Sequence, residues 1–303
     1  MPKGILERLA EGVVLGDGGY LLELEKRGYV QAGPFTPEVS LTHPEALAQL
    51  HREFMHAGAE VLQTLTFYAS EDKLATVGLA GRVDDINRAA VKIAKQVAAE
   101  GDALVAGNIS LTWAYDPGDP RSGEHVRALL DRQIDVMMAE GGVDFIIGET
   151  FSWLGEALIA VERIKKSGVP AMVTMSFEEN ARSYEGDAPA ECAKKLAGAG
   201  ADIVGVNCLR GPEQTLLLLR QIREAVPGYV AAQPVAYRTT DEHPDFTSMP
   251  EFPYSLDPLQ LPRQAMADFA IQARHGRELH RLVLRFRRRA RQGHGESARQ
   301  AAC

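Results

Sequence analysis

Side chains that could bind or react with a small molecule stand at the ends of seven short apolar segments. They comprise two carboxylates, several amides and hydroxyls, and one thiol: Asp17; Gln63, Thr64 and Thr66; Asn108 and Ser110; Glu149; Ser176; Asn207 and Cys208; Gln233. A carboxylate can pair with a substrate ammonium, and a deprotonated thiol can act as a nucleophile or metal ligand. Any one of these residues could simply cap a strand, but the whole set indicates a polar site for a small molecule.

Apolar segments alternate with longer stretches of helical periodicity, which predicts one parallel α/β domain. The predicted strands are residues 13–17, 61–67, 103–110, 145–149, 171–176, 203–208 and 229–235. The predicted helices are residues 44–57, 82–99, 124–140, 154–166, 189–199, 213–225 and 258–274. An eighth strand would close a barrel, in which the strand ends meet at one face. A doubly wound sheet is the alternative, although the glycines at 16–19 lack the spacing of a dinucleotide site.

The composition is that of an ordinary globular protein with an acidic balance. The chain has 303 residues and a formal net charge of -8, with a mean hydropathy of -0.16. Neither nucleic acid nor a membrane is an expected partner, because both favour basic surfaces. Apolar runs such as Leu216 to Leu219 are far shorter than a membrane span. Three cysteines cannot form a disulfide framework, which favours a cytoplasmic location.

Several motifs carry a resemblance to a known family. They are G-D-G-G at 16–19, L-E-K-R-G at 24–28, A-G-P-F-T-P-E at 32–38, Q-T-L-T-F-Y-A-S-E-D-K-L at 63–74, G-V-N-C at 205–208 and P-E-F-P at 250–253. Together they resemble the betaine–homocysteine S-methyltransferases over residues 3 to 274. The G-D-G-G and G-V-N-C motifs belong to the wider homocysteine methyltransferase group. The resemblance implies a (β/α)8 TIM barrel, a zinc ion held by three cysteine thiolates, and homocysteine as the methyl acceptor.

The resemblance assigns the metal end of the site to the sixth predicted strand. Cys208 is similar to the first cysteine ligand of the family's zinc ion, and Asn207 could orient that ligand. Zinc that has three protein ligands leaves its fourth position for the substrate sulfur, whose deprotonation it favours. An isolated cysteine in an apolar strand is commonly an inert core residue, and this interpretation stays open. Cys192 and Cys303 are interpreted as bystanders.

The resemblance assigns the amino acid end of homocysteine to the first, second and fourth strands. Glu149 matches an acidic position of the family and is the expected partner of the ammonium. Asp17 and the backbone of Gly18 resemble the other contacts at this end, while Gln63 and Thr64 are expected to support the substrate. The alternatives are a tight turn at Asp17, a structural ion pair at Glu149, and polar packing for the other two.

The methyl donor is expected to lie against aromatic side chains. Betaine carries a quaternary ammonium, which donates no hydrogen bond and is best held by aromatic faces. Tyr68 resembles a family residue at the donor site, and Phe35 stands where the family often has tryptophan. The replacement leaves S-methylmethionine or another sulfonium open as the donor. The expected partners are therefore homocysteine and betaine, and homo-oligomerisation is left open.

The resemblance stops after Arg274. The family continues with an eighth strand that resembles G-V-x-Y-I-G-G/S-C-C-G, whose paired cysteines supply the other two zinc ligands. This chain has no cysteine between Cys208 and Cys303, and residues 274–303 hold nine arginines and two glutamates. We therefore divide the chain into a barrel, residues 1–274, and an atypical arginine-rich tail, residues 275–303, which leaves the eighth strand degraded.

A change of reading frame would explain the tail. Codons can be chosen for residues 276–288 that, with their first base removed, encode G-V-N-Y-I-G-S-C-C-G-S-V, which is the missing family motif. The alternative is a solvated amphipathic basic helix. If the tail is genuine, the chain keeps one zinc ligand of three, and a metal-deficient homologue without turnover becomes the second functional interpretation.

Overall fold

Eight parallel strands form one sheet in the computed structural model, which describes residues 3–31, 33, 35–252, 257–275 and 282–284. The strands are β1 Val14–Leu15, β2 Val61–Gln63, β3 Leu104–Ser110, β4 Phe145–Phe151, β5 Ala171–Met175, β6 Ile203–Asn207, β7 Tyr229–Gln233 and β8 Leu282–Leu284. Their order across the sheet is β1-β8-β7-β6-β5-β4-β3-β2. Consecutive strands are therefore neighbours, as in a (β/α)8 barrel, and the doubly wound alternative is wrong.

Helices follow the strands and cover the sheet. They are α1 Ile5–Glu11, α2 Tyr20–Lys26, α3 Val39–Thr42, α4 Pro44–His56, α5 Glu71–Ala75, α6 Val83–Ala98, α7 Ser122–Ala139, α8 Leu154–Lys166, α9 Pro189–Gly198, α10 Pro212–Ala225 and α11 Arg263–His275. The seven predicted helices are all present. The last begins later than predicted, because residues 257–259 form a separate 3-10 turn. Among these helices, none combines the length and apolar character that crossing a membrane requires.

Two carboxylates join the edges of the sheet where β1 meets β2. The amide of Glu60 donates to the carbonyl of Leu15 at 2.8 Å, and the Glu60 side chain accepts from the Leu15 amide at 3.2 Å. At the other end of this seam, the Asp17 carboxylate accepts from the Gln63 amide at 2.6 Å. Asp17 thus occupies the place of a ladder carbonyl and brings the first two strand ends together.

Strand β8 closes the opposite side, although it has only three residues. Its backbone pairs with β7, Val230 opposite Leu282, and with β1, Val14 opposite Val283. The strand lies inside the segment that we separated as a tail, and the division at residue 274 stays a prediction.

Apolar packing fills the amino-terminal half of the barrel interior. Inward-facing strand residues such as Phe145 and Ile147 form a core cluster with Ile5 and Leu9 of helix α1. A larger cluster packs the outer face of the sheet against the helices. Because α1 contributes to the cluster at the starts of the strands, the polar strand ends lie at the other, carboxyl end of the barrel.

Candidate active site at the carboxyl ends of the strands

Glu149 lies at the centre of a group of amide side chains from three other strands. Its Oε1 accepts from Gln63 Nε2 at 2.8 Å and from Asn108 Nδ2 at 2.6 Å. Its Oε2 accepts from Asn207 Nδ2 at 3.3 Å. Amides stabilise a buried carboxylate through their donors without bringing an opposite charge. The structure therefore brings together Gln63, Glu149 and Asn207 from the predicted site, and adds Asn108, to which the sequence interpretation gave no role.

A bulge in β4 aims the Glu149 carboxylate, and Asn207 holds that bulge. Thr150 has a φ of 65°, and the β4–β5 register shifts between Gly148 and Phe151. Asn207 Oδ1 accepts from the Thr150 amide at 2.9 Å, and Asn207 Nδ2 donates to Thr150 Oγ1 at 2.6 Å. A positive φ at a β-branched residue costs of order 1–3 kcal/mol and needs such support. Asn207 thus contacts and orients Glu149, and its predicted role in orienting a metal ligand stays a prediction.

Two amide oxygens next to Glu149 have no hydrogen-bond partner among the residues that the structure describes. They are Gln63 Oε1 and Asn108 Oδ1, and both are buried. Buried polar atoms without partners are rare and call for a ligand or water. An ammonium group has three N–H donors, which match one carboxylate and two amide oxygens. The arrangement can therefore bind the ammonium of an amino acid.

The Thr64 hydroxyl takes part in the hydrogen bonds that pair β2 with β3. Its Oγ1 accepts from the Asn108 amide at 2.9 Å and lies 2.9 Å from Thr66 Oγ1. Thr66 in turn donates to the Asn108 carbonyl at 2.7 Å. Because Thr66 uses its proton there, Thr64 donates to Thr66. The Thr64 hydroxyl thus extends the ladder and fixes the backbone beside Gln63; its predicted contact with substrate stays a prediction.

Asp17 is held by a chain of buried hydrogen bonds that runs through Tyr20 to His51. Tyr20 donates its hydroxyl proton to Asp17 Oδ2, and its oxygen lies 2.8 Å from His51 Nδ1. Burial lowers the pKa of His51 to about 3, so its ring is neutral. Since the Tyr20 proton goes to the carboxylate, the ring must carry its own proton on Nδ1 and donate it to Tyr20. Gly18 is buried directly after Asp17, at the entrance to α2.

Cys208 follows β6 immediately and is half-buried. Its backbone has a φ of 59°, and its amide donates to the Gln233 carbonyl at 2.9 Å. Gly205 of the same motif allows β6 to lie close to β7. A Cβ at this residue would lie 2.1 Å from the carbonyl oxygen of Ala231 on β7. Burial and the negative charge of the Cys208 thiolate both raise the pKa of Tyr68. The thiol and the tyrosine therefore belong to the same barrel mouth.

The described residues contain no complete metal site, and the other two cysteines lie elsewhere in the chain. In the described ranges, no three side chains of the His, Cys, Asp or Glu types lie close enough to hold a metal ion. Cys192 is buried in α9, and burial together with Asp187 raises the pKa of its thiol to about 12, which suits a bystander. Cys303 lies outside the described residues.

Aromatic side chains line the loops after β2 and β3. Tyr68 packs against Phe67, with ring centroids 4.8 Å apart, and lies 6.0 Å from the ring of Trp113. Trp113 is 54% exposed, and Phe35, which precedes α3, is 44% exposed. These rings offer the faces that a quaternary ammonium or a sulfonium needs.

A parallel eight-stranded barrel with polar groups at the carboxyl ends of its strands is the arrangement of a TIM-barrel enzyme. Residues 14–290 match the family model described as homocysteine S-methyltransferase. The chain therefore belongs to the homocysteine S-methyltransferase family.

Individual relatives agree with this assignment. The chain is 47% identical over 282 residues to betaine–homocysteine S-methyltransferase 1 of Mus musculus, covering 89% of this chain and 68% of the relative. It is 46% identical over 267 residues to the Sus scrofa protein of the same name, covering 84% and 95%. The crystal structure of the homocysteine methyltransferase MmuM from Escherichia coli, in its metallated form, matches with a TM-score of 0.71 at 20% identity over 98% of both chains. At that identity the last match supports the fold alone.

Proposed function

We propose that this chain transfers a methyl group from betaine to the sulfur of homocysteine, giving methionine and dimethylglycine. The supporting observation is the Glu149 carboxylate, surrounded by amides, with two buried amide oxygens beside it. The family assignment and the relatives named betaine–homocysteine S-methyltransferase support the choice of both substrates.

The residues at the barrel mouth act by binding and orientation. Glu149 takes the ammonium of homocysteine, with the oxygens of Gln63 and Asn108 as further acceptors. Asp17 and the Gly18 backbone contact the same end of the substrate, and Tyr68 contacts the donor. The sulfur, having lost its proton, attacks the methyl carbon in line; the S–C bond forms, the C–N bond breaks, and the nitrogen of dimethylglycine keeps the electron pair. Holding both reactants in line lowers the entropic part of the barrier.

We propose Cys208 as the zinc ligand that the described residues contribute. Zinc would deprotonate the substrate sulfur when bound. The residues present do not fit a complete site, because the described ranges supply one thiolate at the barrel mouth and no group of three suitable side chains. No step of the reaction above therefore passes through the metal.

Zinc content and methionine formation test the proposal together. We expect the purified chain to form methionine from homocysteine and betaine. We expect its zinc content to rise in proportion to its activity. Zinc below about 0.2 per chain together with no turnover contradicts the enzymatic proposal for this polypeptide. Turnover with S-methylmethionine but not with betaine contradicts the choice of donor.

The single thiol favours a second candidate, a metal-deficient homologue that binds homocysteine without turning it over. It predicts homocysteine binding by calorimetry in protein that contains no zinc. The frame-change hypothesis accounts for the same observation, and sequencing the gene across codons 270–290 decides it. An unchanged nucleotide sequence without a family-like second frame would end that hypothesis.

A cytoplasmic location and a homo-oligomer stay proposals. Cys192 and Cys208 are both free thiols, which suits a reducing compartment. Fractionation of the source cells tests the first proposal, and light scattering of the purified chain tests the second.

A further inference from the structure

Lys73 has no exposed surface, which is unusual for a lysine. It lies on the short helix α5, after the loop that contains Tyr68. Its Nζ donates to the Phe67 carbonyl at 3.0 Å and to Ser110 Oγ at 2.8 Å. Lysines normally bury their stem and leave the ammonium in water. Here the nitrogen itself is buried and connects the loop after β2 to the end of β3.

Three aromatic rings surround the same nitrogen. Nζ lies 4.6 Å from the ring centroid of Phe67, 5.3 Å from that of Tyr68 and 5.2 Å from that of Trp113. A lysine nitrogen within about 6 Å of a ring centroid binds the negative face of the ring. Two of these rings belong to the loop after β2 and the third to the loop after β3, so one side chain ties both loops.

The charged groups around Lys73 are the buried carboxylates of β4 and α8. No carboxylate of the described part of the chain lies within 4 Å of Nζ, while Glu156 and Glu149 act on it from further away. On its own helix, Glu71 pairs with Arg132 and Asp72 with His125. Burial lowers the pKa of Lys73 to about 7, against the opposing effect of Glu156 and Glu149. We therefore expect this nitrogen to titrate near neutral pH.

We propose that Lys73 is a positioning residue of the methyl-donor pocket, whose nitrogen holds the rings of Tyr68 and Trp113 in the arrangement that receives the donor. The donor part rests on the proposed function, since Tyr68 is the donor contact. The ring-holding part rests on the distances and hydrogen bonds alone. Because Lys73 contacts the loops after β2 and β3 directly and acts on Glu149 only from a distance, its loss affects donor binding far more than homocysteine binding.

Tryptophan fluorescence tests the ring-holding part without any ligand. The chain has two tryptophans, so a Trp153→Phe background isolates Trp113. We expect the emission of Trp113 to titrate with a midpoint near pH 7, and this titration to disappear in Lys73→Met, which keeps a similar volume. Lys95→Met is the control: that lysine donates to three loop carbonyls at 140–142, away from the rings, and its loss leaves the titration unchanged. An unaltered titration in folded Lys73→Met overturns the proposal.

Calorimetry tests the donor part. In protein saturated with homocysteine, we expect Lys73→Met to weaken betaine binding at least about fivefold, which is about 1 kcal/mol, because a misplaced ring loses its contact with the quaternary ammonium. The homocysteine affinity stays within about twofold. Lys73→Arg keeps a cation and recovers part of the betaine affinity. Equal loss of both affinities indicates a structural role and overturns the proposal, as does unchanged betaine binding. If the parent protein binds no betaine, the proposed function fails, and the fluorescence titration alone decides whether Lys73 holds the rings.

Discussion

Replacing Glu149 with glutamine tests the assignment of the amino acid end most directly. In the parent protein three amide N–H groups point to one carboxylate, at 2.8, 2.6 and 3.3 Å. A glutamine offers one oxygen and one NH2 group in the same place. At least one neighbouring donor then faces another donor, and the substrate ammonium loses its charged partner.

The expected magnitude follows from these contacts. A hydrogen bond to a charged group contributes about 1.5–3 kcal/mol, which corresponds to a loss of roughly 10- to 150-fold in homocysteine affinity. The unsatisfied donor left inside the protein costs about 1–3 kcal/mol of the free energy of unfolding. For a chain of this size, that lowers the melting temperature by a few degrees, roughly 1.5–2 °C per kcal/mol. Glu149→Gln should therefore fold and bind weakly.

Calorimetry with two ligands separates the ammonium contact from general damage. The second ligand is 4-mercaptobutanoate, which is homocysteine without its amino group. We expect the parent to prefer homocysteine over this analogue, and Glu149→Gln to lose most of that preference. Glu156→Gln is the matched control, because Glu156 is also buried but accepts from the amide and the hydroxyl of Thr112. A folded Glu149→Gln variant that keeps the parent's preference within about twofold would refute the assignment.

Further predictions concern the groups that hold the site. Tyr20→Phe removes a buried hydroxyl that joins two partners, and should lower the free energy of unfolding by about 1–3 kcal/mol in urea titrations. The lowered pKa of His51, about 3, means that the unfolded chain binds a proton below pH 6.5 while the folded chain does not. The contribution of His51 to the free energy of unfolding therefore falls by about 1.4 kcal/mol for each pH unit as the pH is lowered from 6.5 to 3. His51→Gln should reduce that slope. Gly205→Ala should cost about 3 kcal/mol by collision with the β7 backbone, whereas Gly228→Ala, with nothing within 4 Å of the added Cβ, should be nearly neutral in thermal melts.

The barrel was predictable because strands that are buried on both faces leave continuous apolar runs. Helix α8 was predicted to the residue, Leu154–Lys166, since its apolar period is uninterrupted. The short helices were missed for the opposite reason. Helix α5 has five residues, too few to show a period, and its form depends on packing rather than on propensity.

The site was predictable as a set of strand ends but not as a set of contacts. Asn207 and Glu149 are 58 positions apart, and the bulge that joins them leaves no sequence signal. Lys73 lies in an E-D-K run, a pattern typical of an exposed helix, and it is buried only because three rings surround it. His51 could have been found, because it follows Leu47 by four positions and so continues the apolar face of α4.

The proposed contacts with the amino acid and the proposed metal end of the site come from different parts of the chain. The described hydrogen bonds around Glu149 and Asp17 come from β1 to β4 and from β6. The proposed zinc site needs further ligands, and the described residues do not supply them beside Cys208. A chain that binds homocysteine without zinc and without turnover would therefore place the defect at the eighth strand alone. Restoring the G-V-N-Y-I-G-S-C-C-G reading there should then restore zinc binding and methionine formation together, while the homocysteine contacts at Glu149 stay as they are.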